Sequence, residues 1–256
     1  MAGSVSEMSG LVLLDLPLGL PSRAIAKPVG PLSCGTNRPV CYRQTVASVR
    51  TEEARERLLT AAGELFYAEG VHTVGIDRII EHAGVAKATL YSTFGSKDEL
   101  IRAYLTRRYE GWEARITEKL AGYQTPRDRL LGVFDWLGEA FADPNFHGCA
   151  FMNATAEDHP GGPAHGPAET YRAAVRSLFR DLADAAGATD PGRLGAQLAL
   201  LYDGATVAAR MDHNAGAGAT AREIAAALLD AASGAGGGPT GRAKKARAAP
   251  ARRRRA

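Results

Sequence analysis

Lys87, Thr89, Tyr91 and Ser92 set one cation and three hydroxyls along a single short stretch, with the small Ala88 among them. Such a surface is small, polar and cationic enough to enter a major groove while its neighbours hold phosphates. Thr89 and Lys87 are the candidates for base edges and Tyr91 for phosphate. Lys97 opens the next helical pattern, where free backbone N–H groups and a lysine together favour an anion. Arg50 and Arg55 lie upstream, on a helix from which they can reach phosphates. The alternative for all of them is the solvated face of an ordinary helix.

Two other groups invite chemistry. His147, Cys149, His159 and His165 are metal-ligand types, but their spacing matches no standard zinc pattern and part of it runs through Gly and Pro. An ordinary loop with satisfied or exposed histidines is the simpler reading. No GxSxG, P-loop, GxGxxG or HExxH occurs, so neither an enzyme nor a metal or cofactor is expected. Trp112, Phe134, Leu137, Phe141, Phe151 and Met152, with Asn153, are either bundle core or the lining of a small-molecule cavity between helices.

Those residues need helices to position them. Apolar residues recur at helical spacing from about residue 51 to 233, no period-2 strand stands out, and about nine helices result. The fold class is all-α. Residues 75–94, GIDRIIEHAGVAKATLYSTF, read as helix, glycine turn, helix: Gly84 supplies the turn, and Ile76, Ile80, Val85 and Leu90 pack the pair. Thr51, Ser96, Thr125 and Asp190 read as N-caps, the last two followed by proline at the first helical position.

Composition bounds the rest. The 256 residues are 45% hydrophobic and 23% charged, enough for a buried core. The most apolar stretch, Leu11–Leu20, is broken by Asp15 and Pro17 and has no preceding cation, so neither a membrane span nor a secretory signal is expected. Three cysteines without a CxxC fit a reducing compartment, and a cytoplasmic location is expected. The net charge of +3 conceals a division. Residues 241–256 carry Arg242, Lys244, Lys245, Arg247 and Arg252 to Arg255 and no acid, leaving −5 on the remainder. The basic character therefore belongs to a tail, and only local charge placement can argue for nucleic acid.

The chain resembles the TetR family of bacterial transcriptional regulators from Arg50 to about Leu105. The blocks are Leu59-Thr60-Ala61-Ala62-Gly63-Glu64-Leu65-Phe66 with Gly70, Ala83 to Tyr91 (AGVAKATLY), and Phe94 to Leu100 (FGSKDEL). Three positions depart from the family: Gly75 and Ala86 stand where a hydroxyl residue is usual, and Ile80 where a small alanine is usual. The resemblance implies a helix-turn-helix DNA-binding domain over 50–95 and a helical ligand-binding and dimerisation domain over 96–233. A disordered extension is expected over 1–49 and a disordered basic tail over 234–256. The resemblance further implies a homodimer on a pseudo-palindromic double-stranded operator, released by a small-molecule effector and acting as a repressor. Leu194, Leu198, Leu201, Ala205 and Leu228, on the last two helices, are the expected dimer-interface residues. The competing reading is a helical adaptor whose basic tail binds nucleic acid or acidic partners without reading sequence.

Overall fold

The computed structural model describes residues 38–233, with side chains from Val49 onward. Among the described residues there are nine α-helices and no strand: α1 (Arg38–Glu69), α2 (Ile76–Ala83), α3 (Lys87–Phe94), α4 (Lys97–Ala121), α5 (Pro126–Phe141), α6 (Ala150–Glu157), α7 (His165–Ala185), α8 (Pro191–Met211) and α9 (Ala217–Ala232). Residues 1–37 and the basic tail over 234–256 lie outside the described residues.

The first correction falls at the start. Residues 1–49 were expected to lack structure, yet α1 begins at Arg38 and Thr51 sits inside it rather than capping it. Pro39 occupies the first turn, where a missing N–H breaks no helical bond. Neither glycine nor proline follows until Gly63, so nothing in the backbone stops the helix from running through. Downstream the caps are as their residue types dictate. The Ser96, Thr125 and Asp190 side chains accept from the N–H groups of Glu99, Asp128 and Arg193.

α1 to α3 form one layer. Leu58, Ala62 and Phe66 of α1 bury against Ile79 of α2 and Leu90 of α3, all at or near zero exposure. The start of α4 belongs to the same core: Leu100, Ile101 and Leu105 are fully buried, and the Tyr104 ring meets Phe66 edge-on at 5.5 Å. The expected boundary between residues 95 and 96 is thus a helix N-cap, across which packing is continuous.

α5 to α9 build the second layer around Phe134, Phe179, Leu194, Leu198 and Leu229. Two helix crossings there need glycine. A Cβ on Gly195 would sit 2.8 Å from the backbone nitrogen of Arg180 in α7, and one on Gly218 would sit 2.6 Å from Gly138 Cα in α5.

The second correction concerns the expected dimer residues. Leu194, Leu198 and Ala205 are buried within the subunit's own bundle, and Leu201 and Leu228 are half-buried against it. α8 packs between α7 and α9, so its most regular leucine stripe is spent on the subunit. The face left uncovered on the same two helices is a different one: Leu200 and Met211 are each 74% exposed, and Val207 and Ile224 accompany them.

Candidate nucleic-acid interface and the cavity behind it

Gly84 ends α2 in the left-handed conformation at φ 62°, ψ 42°. Its N–H bonds Glu81 O at 3.1 Å and the next N–H, Val85, bonds Ile80 O at 3.1 Å, closing both carbonyls of the last turn. The chain re-enters α3 two residues later. Leu90 is fully buried, and Ile76, Ile80, Val85 and Phe94 pack against the core, so the two helices are fixed relative to each other by apolar contact. Neither Gly75 nor Ala86, the N-caps of α2 and α3, provides a side-chain cap.

With Leu90 anchored inward, Lys87, Ala88, Tyr91 and Ser92 face solvent, and Tyr91 is 46% exposed. Thr89 is half-buried, and its carbonyl accepts the hydroxyls of Ser92 at 3.0 Å and Thr93 at 2.7 Å. Lys87 Nζ pairs with Asp77 Oδ1 of α2 at 2.8 Å, and that hydrogen bond raises the lysine's proton affinity. The pair is exposed and easily exchanged for a phosphate. Lys97 is less free. Its Nζ donates to His72 O at 3.4 Å, and burial lowers its proton affinity. Arg50 is exposed on α1, while Arg55 lies over the Phe94 ring at 5.6 Å, which ties α1 to the end of α3.

A cavity of about 480 Å³ opens between α4, α5, α6, α7 and α8. Trp112, Leu137, Phe141 and Phe151 line it, as their types suggested. Phe134, Met152 and Asn153 do not. Phe134 stacks on Phe179 in the bundle core at 5.6 Å, Met152 is 39% exposed, and the Asn153 amide donates to His147 O at 2.9 Å. Trp136 lines the cavity as well, and residues not anticipated complete the wall: Tyr67, Arg108, Arg115, Tyr171, Tyr202 and Thr206 among them. Arg108, Trp112 and Arg115 follow an i, i+4, i+7 stripe on α4, a signal present in the sequence but masked there by the abundance of charge on that helix.

The inner end of the cavity is aromatic and polar at once. Phe151 stacks on Tyr171 with centroids 4.1 Å apart, and Trp112 meets Tyr171 edge-on at 5.2 Å. The Tyr171 and Tyr202 hydroxyls share a hydrogen bond of 3.1 Å, and burial holds both phenols neutral by pushing their ionisation upward. Burial likewise pushes the Cys149 thiol up, which favours its protonated form. Trp112 Nε1 is buried without a hydrogen-bond partner, although it lies near enough to Tyr202 to ease that phenol's ionisation.

The metal-ligand types are scattered by the fold. The His147 backbone N–H donates to Tyr67 Oη, His159 sits in the exposed loop after α6, and His165 opens α7 with a buried, unpartnered Nε2. Among the described residues no group of three or more His, Cys, Asp or Glu could hold a metal ion.

Cavity and interface meet through two struts. Tyr67 of α1 lines the cavity and donates its hydroxyl to Gly148 O at 2.9 Å. The short helix α6 has Ala150 and Phe151 in the cavity wall at one end and Glu157 at the other, where the carboxylate accepts the His72 N–H at 2.9 Å. Asp158 follows, 3.5 Å from His72 Nε2. Gly70, at φ 100°, makes room for this grip, since a Cβ there would lie 2.6 Å from a Glu157 carboxylate oxygen.

An all-helical chain with a helix-turn-helix at one end and a cavity between helices at the other is the class these features define. Comparison with known proteins places it more narrowly. Residues 58–104 match the model of the bacterial regulatory proteins of the tetR family. A crystal structure of a TetR-family transcriptional regulator from Streptomyces coelicolor is similar at 35% identity and a TM-score of 0.68, covering 71% of this chain and 97% of that one. The chain belongs to the TetR family. The transcriptional activator FasR of Mycolicibacterium smegmatis is 35% identical over 109 residues, 43% of this chain and 48% of that protein. The transcriptional repressor NemR of Escherichia coli K12 is 30% identical over 107 residues, 41% of this chain and 54% of that protein. This chain thus spans about half the length of the curated relatives it matches.

Proposed function

We propose that this protein is a sequence-specific, DNA-binding transcriptional regulator that leaves its operator when a small molecule fills the cavity. The observation that carries the reading is α3, held by Leu90 and the Gly84 turn so that Lys87, Ala88, Tyr91 and Ser92 project together beside Thr89. On this reading α3 enters a major groove, and Arg50 and Lys97 flank it on phosphates, Lys97 after leaving His72 O. Residues 50–95 are the reading domain and 96–233 the sensing and pairing domain. Two copies join through the uncovered face of Leu200, Val207, Met211 and Ile224, which gives the two-fold symmetry that a pseudo-palindromic site requires.

A ligand favours whichever conformation it binds better, so its effect must pass through elements that touch both sites. Tyr67 and α6 do so. Displacing Phe151 or Ala150 would move Glu157 and Asp158 against His72, in the loop between α1 and α2, and thereby re-aim α3. Release of operator by ligand is the repressor's logic, and the sign at a given gene follows from where the operator lies.

The adaptor reading rests on the eight cations of residues 241–256. Deleting them separates the two in a gel-shift competition. A regulator keeps its preference for operator over random DNA and loses only salt-sensitive, non-specific affinity; an adaptor loses binding altogether.

A further inference from the structure

Arg108 and Arg115 enter the cavity wall from α4 without an ion-pair partner among the described residues, and the acids of the wall are not paired with them. Glu139 is held by Lys119 Nζ at 2.5 Å, and Asp143 Oδ1 accepts the Asn145 N–H at 2.8 Å. Tyr67, Tyr171, Tyr202 and Cys149 stay neutral because burial opposes their ionisation. Only Asp143 is left as an unpaired anion against two guanidinium groups. Arg115 is half-buried, and desolvation first and the Arg108 charge second lower its proton affinity. Arg108 has found weaker substitutes for an anion, the faces of Tyr67 at 4.1 Å and Tyr104 at 5.6 Å, with a side-chain hydrogen bond to Tyr104 as well.

Arg115 and Trp136 also line a shallower recess beside the cavity, together with Glu118, Lys119, Gly122 and Tyr123. A charged head at Arg115 would therefore lie toward the outside while an apolar body passes inward to Trp112, Phe151 and Tyr171. At that inner end Trp112 Nε1 is buried beside the Tyr202 hydroxyl without a well-formed hydrogen bond, so a bound body can offer it a better acceptor.

We propose that the effector is an organic acid: an aromatic or alkyl body carrying one oxyanion, carboxylate or sulfonate, clamped by Arg115 and Arg108. An anion between the two cations relieves their repulsion and replaces the solvation lost on burial, which neither an alcohol nor an amine of the same shape can do. It would also draw Arg108 off the Tyr67 ring, and Tyr67 belongs to α1. The proposal deepens the ligand-responsive reading above and rests on it only for the consequence of binding.

Calorimetry on the full chain tests it with naphthoate, naphthalenesulfonate and decanoate against naphthylmethanol, naphthylmethylammonium and decanol. The acids should bind roughly ten- to a hundredfold more tightly than their neutral and cationic counterparts. Arg115→Met should erase that preference, Arg115→Lys should restore part of it, and Arg108→Met should weaken it. Since Arg115 has no partner to lose, Arg115→Met should melt no lower than the wild type, whereas a merely structural arginine would leave a less stable protein. Equal affinity for acid and alcohol, tighter binding of the amine, no measurable binding of any acid, or an unchanged preference in Arg115→Met would overturn the clamp. Tight, arginine-dependent binding of acids that leaves operator affinity unaltered would uphold the clamp and refute ligand-driven release.

Discussion

Tyr91 and Thr89 do different work on one helix. The Tyr91 ring stands out from α3, whereas Thr89 is half-buried. Thr89→Ala should cost about 1–3 kcal/mol of discrimination between operator and mismatched DNA, the range for a base-edge contact. Tyr91→Ala should weaken binding to all sequences alike, by about 1 kcal/mol for a lost phosphate hydrogen bond. Lys87→Ala should reduce the slope of log affinity against log salt by about 1, since a cation leaves, and should also reduce discrimination at the base edge the lysine reaches after leaving Asp77. Fluorescence anisotropy on paired operator and scrambled duplexes reads all three. Unaltered anisotropy titrations in both Thr89→Ala and Tyr91→Ala would mean that α3 is not the reading helix.

At the scale of helices, the N-caps of α2 and α3 are two of the places where stability has been left unclaimed. Ala86 is exposed with an extended backbone at φ −73°, ψ 149°, and Gly75 has open space around any added Cβ. Ala86→Ser should therefore stabilise by about 1 kcal/mol and Gly75→Ser by a few tenths. The two glycine crossings predict the opposite sign. Gly218→Ala drives a Cβ into the Gly138 backbone and should destabilise by about 1–3 kcal/mol, despite the better helix propensity of alanine. Urea denaturation decides each case. The caps at Ser96, Thr125 and Asp190 and the Gly84 turn were legible in the sequence because each depends on a residue and its near neighbours. The start of α1 was not, since Thr51 has a capping side chain but lies within a run that Pro39 begins. The cavity was half legible: apolar type marked Trp112, Leu137, Phe141 and Phe151 as core or cavity lining, but only the packing of α4 against α5 to α8 separates cavity from core and draws in Arg108, Arg115 and three tyrosines.

For the molecule as a whole, the question is which apolar face belongs to the subunit and which to its partner. The leucines of α8 repeat at helical spacing on more than one side, so periodicity alone pointed to Leu194, Leu198 and Ala205, which the subunit buries itself. Leu200 and Met211 at 74% exposure, with Val207 and Ile224, remain for a second copy. Leu200→Glu should yield a folded monomer by sedimentation, while Leu198→Glu should unfold, because a charge at a fully buried site has no partner. A Leu200→Glu protein that stays dimeric would move the pairing face elsewhere. The central claim is that α3 reads a two-fold site, and selection of bound duplexes from a random pool, run on the wild type and on the Thr89→Ala, Tyr91→Ala double variant, tests it most directly. The account predicts enrichment of a pseudo-palindrome with half-sites about one helical turn, or a multiple of it, apart, and loss of that enrichment in the variant. A pool without a motif, or the same motif recovered by both proteins, would contradict it.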